Sequence, residues 1–192
     1  DIATHAYRAP VPWIGEDGKV YPYLNEARKR GIRFDVGHGG GSFAFRNAVP
    51  AVEQGFWPDS ISTDLHTGSM NGFMMDMPTT MSKFLAMGMP LKDVIARSTH
   101  LAAAVIGKND LGHITVGAPA DIAAFRLMNG DFKYGDSDAG TISNKQRLFC
   151  ELTLREGQIV WDWNARSGKD YKLLGPAYGV RAGEFIVPPP KK

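Results

Sequence analysis

At 192 residues the chain has room for one large domain, or a domain with a satellite. Its 22 basic residues against 20 acidic ones leave +2, too little to argue for nucleic acid or an anionic membrane as partner. No apolar run nears the roughly 18 residues that a bilayer span needs, and the single cysteine, Cys150, leaves no internal disulfide and fits a reducing compartment. The expectation is a cytoplasmic chain with no secretory leader, no membrane and no nucleic acid among its partners.

The first hundred residues alternate between strand-like and helical stretches. Ile2 to Tyr7 is β-prone and gives way to a Pro/Gly-rich loop, Ala9 to Lys19. A helix is predicted from Tyr23 to Arg30, stopped by Gly31 just past its end. Ile32 to Val36 reads as a strand, broken by Gly37 ahead of His38. Phe45 to Gln54 reads as a helix in spite of Pro50, and Ser60 to Thr63 as a short strand leading into Asp64. Past a Met- and Gly-rich loop, Thr67 to Pro78, helical stretches are predicted at Thr79–Met87, Leu91–Arg97 and His100–Ile106. Strands separated by helices and running in one direction make parallel βα units, an α/β class.

After Gly107 the pattern changes. His113–Val116, Asp121–Phe125, Leu148–Leu154 and Gln158–Trp161 are strand-like, with turn signals at Gly117-Ala118-Pro119 and Glu156-Gly157. They predict a small antiparallel β unit. From Asn164 the chain is rich in Gly, Pro and Lys and is expected to be irregular. The expected division is thus 1–107, 108–163 and 164–192.

Three candidate metal ligands occupy one topological position: His5, His38 and Asp64 each follow a strand. In parallel α/β folds, functional groups gather where the carboxyl ends of strands meet the βα loops. Imidazole nitrogen with carboxylate oxygen suits zinc and related divalent ions. A histidine at a strand end also serves as a hydrogen-bonded structural residue, and an aspartate there as a helix cap, so residue types alone leave both readings open. Val36-Gly37-His38-Gly39-Gly40-Gly41-Ser42-Phe43 sets four glycines around a histidine. Glycine admits positive φ and lets backbone approach a ligand closely. A flexible linker fits poorly with Phe43 and Phe45 so near.

Thr4-His5, Phe34-Asp35-Val36-Gly37-His38-Gly39 and Ser62-Thr63-Asp64-Leu65-His66 resemble the amidohydrolase superfamily, in its dihydroorotase-like amidohydrolase/deacetylase branch. The run Thr99 to Gly107, then Leu111 to Ile122, is similar to that superfamily's exit from barrel to β-sandwich. The resemblance implies the carboxy-terminal half of a TIM-like (β/α) barrel (1–107) followed by part of a small β-sandwich (108–163). It implies one or two divalent ions, zinc foremost, with His5 and His38 on one and Asp64 on the other. Asp64 would also take a proton from the metal-activated water and pass it to the leaving group. His66, Gly39, Gly40 and Arg46 are expected at the substrate; Arg8 shares with Arg46 the fork that suits a carboxylate. His66 and both arginines also admit plain structural readings, and His100 and His113 are read as structural.

The departures are specific. The family's His-x-His pair and bridging lysine have no counterpart: the histidines are 5, 38, 66, 100 and 113, and no lysine precedes His5. One strand lies between His5 and Asp64, where a standard eight-stranded barrel has two. The expectation is therefore a half-site, completed by an amino-terminal half from the same gene, a second chain or a symmetry-related copy, with homo-oligomerisation as one route. The predicted activity is hydrolysis of amide, imide or ester bonds in small carbonyl compounds. A heterocycle deaminase and a non-catalytic scaffold half that binds a metal or a partner are the alternatives.

Overall fold

Strands β1 (Ile2–Ala3) and β2 (Arg33–Phe34) pair in parallel, Ile2 with Arg33 and Ala3 with Phe34, in a computed structural model that describes residues 1–180. A parallel bridge from Asp35 to Ser60 adds a third segment. Its pairing continues along the backbone, with Val36 N donating to Ser60 O, His38 N to Ser62 O and Gly39 N to Thr63 O. The three segments thus lie side by side in chain order, and among the described residues β2 is the only strand between His5 and Asp64.

The helices fall close to their predicted places. They are α1 (Pro22–Lys29), α2 (Phe45–Glu53), α3 (Met77–Ala86), α4 (Leu91–Arg97) and α5 (His100–Val105). α2 runs through Pro50 because its apolar face, Phe45, Ala48, Ala51 and Val52, is buried, which offsets the backbone bond the proline cannot make. α3 starts earlier than predicted. Asp76 caps it by accepting from Thr79 N at 2.7 Å, and Pro78 occupies the first turn, where a missing N–H costs nothing. Phe34, Val36, Val52, Phe84 and Val94 form one apolar core between the parallel strands and the helices.

The second part is an antiparallel sheet in the order β3-β4-β5, made of β3 (Ile122–Gly135), β4 (Thr141–Arg155) and β5 (Gln158–Asp162). β3 and β4 are far longer than expected, because polar stretches on both pair across the hairpin. Tyr134 and Leu148 reach into the main core. The hairpin is also tied to the helices: Leu148 N donates to Ser82 Oγ of α3 at 2.9 Å, and Phe45 N to Asp136 Oδ2 at 2.8 Å. The strand expected at His113–Val116 does not form. Ile114 and Val116 stand in solvent, 84% and 102% exposed, with no neighbouring strand to pair with among the described residues. Residues 164–180 are irregular apart from a 3-10 turn at Tyr171–Leu173; the expectation for 181–192 lies outside the described residues.

Candidate metal centre at the strand ends

Neighbours in register on parallel strands present their side chains to the same side of the sheet. Asp35 demonstrates which side. Its carboxylate accepts from Thr4 Oγ1 (2.8 Å), Ser60 Oγ (2.6 Å) and Ser62 Oγ (2.7 Å), so all three strands contribute to one hydroxyl-lined face. Asp64 continues the alternation Ser60, Ser62 and belongs to that face. Phe34 and Val36 point the other way, into the core, at 4% and 0% exposure.

His38 follows Phe34 and Val36. It is 1% exposed, its ring stacks on Phe43 at 4.7 Å, and both ring nitrogens are engaged. Nδ1 donates to Gly39 O at 2.8 Å, which leaves Nε2 to accept from Lys83 Nζ at 2.7 Å. Burial, with the Lys83 ammonium beside it, pushes the imidazole pKa down to about 4. The expectation that His38 joins His5 on a metal does not match this arrangement. Strand parity is the reason, since the face that carries Phe34 and Val36 is the packed one.

His5 escapes the same parity. Its register, two places past Ala3, would send it to the core side, yet its φ of 64° lies in the left-handed region and turns the ring over to Asp64. Asp64 has φ 49°, also left-handed. Non-glycine residues there carry roughly 1–3 kcal/mol of strain each and persist where the surroundings over-determine them. The surroundings do so here. Tyr7, itself at φ 71°, is fully buried with its hydroxyl on Phe56 O at 2.8 Å, and Asn47 Nδ2 donates to Tyr7 O and Arg8 O. The loop after His5 is pinned from both sides.

Two glycines make room for the pair. A Cβ on Gly37, φ 46°, would meet Thr4 Oγ1 and come within 2.8 Å of the His5 ring. A Cβ on Gly39, φ 49°, would lie 2.8 Å from Asp64 Oδ2. With both side chains missing, His5 Nε2 comes to 3.5 Å from Asp64 Oδ2, the groups 34% and 50% exposed. Two ligands about 2.1 Å from one tetrahedral zinc lie about 3.4 Å apart, so the spacing and donor types fit a single divalent ion. They make up half of a four-ligand set. Among the described residues no group of three or more His, Cys, Asp or Glu side chains is placed to hold a metal.

The expected substrate residues differ in their surroundings. His66 is exposed, and its Nδ1 accepts from Gly68 N at 3.1 Å, so the neutral ring carries its proton on Nε2, free to donate outward. Gly40 is exposed beside the Ser69 turn, and Gly39 is buried under Asp64. Arg46 is exposed at the start of α2, with one long contact of 3.4 Å to Ala9 O. Two features escaped the sequence reading. One is the hydroxyl ring about Asp35, for which the alternating Ser60 and Ser62 beside an aspartate-bearing strand were a signal. The other is Lys83, the lone charge in the sequence of α3. It is fully buried, donates to His38 Nε2 and to Phe73 O at 2.8 Å, and burial lowers its pKa to about 7.

Comparison with known proteins agrees in kind. Residues 40–157 match the amidohydrolase family. A deacetylase of Brucella anthropi is 41% identical over 150 residues, 78% of this chain and 37% of that protein. A deacetylase of Agrobacterium fabrum is 39% identical over the same shares. Among solved structures, an adenine deaminase superposes with TM-score 0.78 at 28% identity, over 84% of this chain and 45% of its own. A dihydroorotase superposes with TM-score 0.66 at 32% identity, over 84% and 42%. The chain thus spans somewhat over a third of the length of these two curated relatives, 37% of each.

Proposed function

This chain belongs to the amidohydrolase family, and we propose that it contributes His5 and Asp64 to the divalent-metal centre of a hydrolase that cleaves amide, imide or ester bonds of small carbonyl compounds, most closely a deacetylase. The observation that carries this reading is the His5–Asp64 pair. Two left-handed backbones and two cleared glycine positions set an imidazole and a carboxylate at single-ion spacing on the polar face of the strands. His5 and Asp64 would hold a divalent ion there, zinc by donor type, which when bound would supply Lewis acidity for a carbonyl and for water. The 41% and 39% identical relatives, both deacetylases, support the substrate class.

Asp64 is half-exposed and has no hydrogen bond donated to its carboxylate by a neighbouring backbone or hydroxyl among the described residues, so it is available to receive a proton from the attacking water and hand it to the leaving nitrogen or oxygen. His5 orients that carboxylate. Gly39 leaves room for the Asp64 carboxylate and the exposed Gly40 for a substrate to approach the backbone, while the exposed His66 offers a donor and Arg46 its fork to an anionic substituent. His38 supports the loop from the core side rather than binding the ion. The parallel segments are read as an arc of a TIM-like barrel, with 108–163 as part of its β-sandwich. The remaining ligands are supplied by a longer polypeptide, a second chain or a symmetry-related copy. The lone free Cys150 suits the cytoplasm.

A second reading, deamination of a heterocycle, draws on the likeness to an adenine deaminase. Both are decided by one assay on the longest polypeptide that carries this chain, loaded with zinc. Acetate release from N- and O-acetyl compounds is expected. Ammonia release from aminoheterocycles alone would select the deaminase, and zinc binding with neither product would leave a scaffold.

A further inference from the structure

Lys83 lies wholly inside the protein. A methionine of similar length would fill the space without the desolvation that a buried ammonium suffers, and none of the ion pairs among the described residues includes Lys83. Packing therefore does not account for it. Its hydrogen bonds do, because they run to two separate segments. Nζ donates to His38 Nε2 at 2.7 Å and to Phe73 O at 2.8 Å.

Each acceptor leads to Asp64. His38 passes the constraint on through Nδ1–H to Gly39 O at 2.8 Å. Gly39 N in turn donates to Thr63 O at 2.8 Å, next to Asp64, and the Gly39 α-carbon forms the floor under the Asp64 carboxylate. Phe73 sits in the loop that leaves Asp64, closed at its near end by Ser69 Oγ, which donates to His66 O and accepts from His66 N. The two loops also come close where Gly40 faces Gly68 and Ser69.

We propose that Lys83 is a positioning residue for Asp64, clamping the glycine loop beneath the carboxylate to the loop behind it so that Asp64 stays against His5. What Asp64 does when so held rests on the function proposed above; the clamp itself does not. The hydrogen bonds of Lys83 go to neither member of the pair, and α3 is a firm base for it, bonded on another side to β4 through Ser82.

The test compares Lys83→Met and Lys83→Gln with the wild-type 192-residue chain. Amide hydrogen exchange in 37–42 and 65–75 should quicken at least about tenfold in Lys83→Met, as expected on losing a charged hydrogen bond, while 22–29 and 122–155 keep wild-type rates. Zinc affinity, by titration calorimetry on the longest polypeptide that carries this chain, should fall about 10- to 100-fold, the usual cost of losing support behind a ligand. Lys83→Gln retains a donor and should recover part of both effects; should the Met variant fail to fold, the Gln variant carries the same comparison. Unchanged loop exchange, or exchange that rises equally in every segment, would overturn the clamp. Absence of zinc binding by the longest polypeptide that carries this chain would instead count against the metal reading, with the exchange data still deciding the clamp.

Discussion

The two faces of the short parallel strands are built to opposite specifications. One carries Thr4, Asp35, Ser60 and Ser62, a hydroxyl ring about a carboxylate that ends in Asp64. The other carries Phe34, Val36 and His38, packed against helices and closed to solvent. His5 would belong to the second face by register and has been turned to the first by a single left-handed residue. On the function proposed above, position at a strand end is not enough to make a ligand; the face decides. The same residue type, histidine, becomes a candidate ligand in one place and a core hydrogen-bond relay in the other.

The sharpest way to break this contrast is Asp64→Asn. On the polar face the amide cannot accept a proton, so turnover of the complete enzyme should fall on the order of 10²–10⁴-fold, with far-UV circular dichroism unchanged. Steady-state kinetics showing wild-type turnover would take Asp64 out of the chemistry. Phe34→Ala addresses the packed face. It should lower unfolding free energy by roughly 3–5 kcal/mol in urea titrations and leave zinc affinity of the folded fraction unaltered. A smaller effect separates space from strain. Gly39→Ala and Gly31→Ala both place a side chain at positive φ, each costing about 1–2 kcal/mol. Gly31 has nothing within 4 Å, whereas a Cβ on Gly39 meets Asp64, so zinc binding should weaken in Gly39→Ala alone.

The mildest prediction is a pH dependence of the buried pair. Lys83 titrates near 7 when folded against 10.5 when unfolded. Between those values the unfolded chain holds more protons, so stability should rise with pH. His38, near 4 folded and 6.5 unfolded, contributes stability that is lost as pH falls through that window. Urea midpoints measured across pH 7 to 10 should climb in the wild type, and Lys83→Met should flatten that limb.

How much of this was legible beforehand follows the range of the interactions. Helix positions were readable because glycine stops, caps and apolar periodicity are local, and α1 to α5 fall within a few residues of expectation. The hairpin was underestimated where its pairing joins polar stretches such as Asn129 with Gln146 and Lys133 with Ser143, since no local pattern marks a strand whose stability comes from its partner. His113–Val116 was overestimated for the mirror reason, a β-prone stretch without a partner.

The residues themselves determined the family resemblance, the donor types at the candidate centre and the need for glycine around His38, because each is a property of side-chain chemistry within a few positions. Alternation along the strands even carried the parity that separates His38 from Asp64. Only the tertiary structure decided which parity faces the helices, that His5 crosses over through a left-handed φ, and that Lys83 reaches across 45 positions to His38. Those outcomes depend on how strands and helices enclose a common core, and no local interaction along the chain specifies that enclosure.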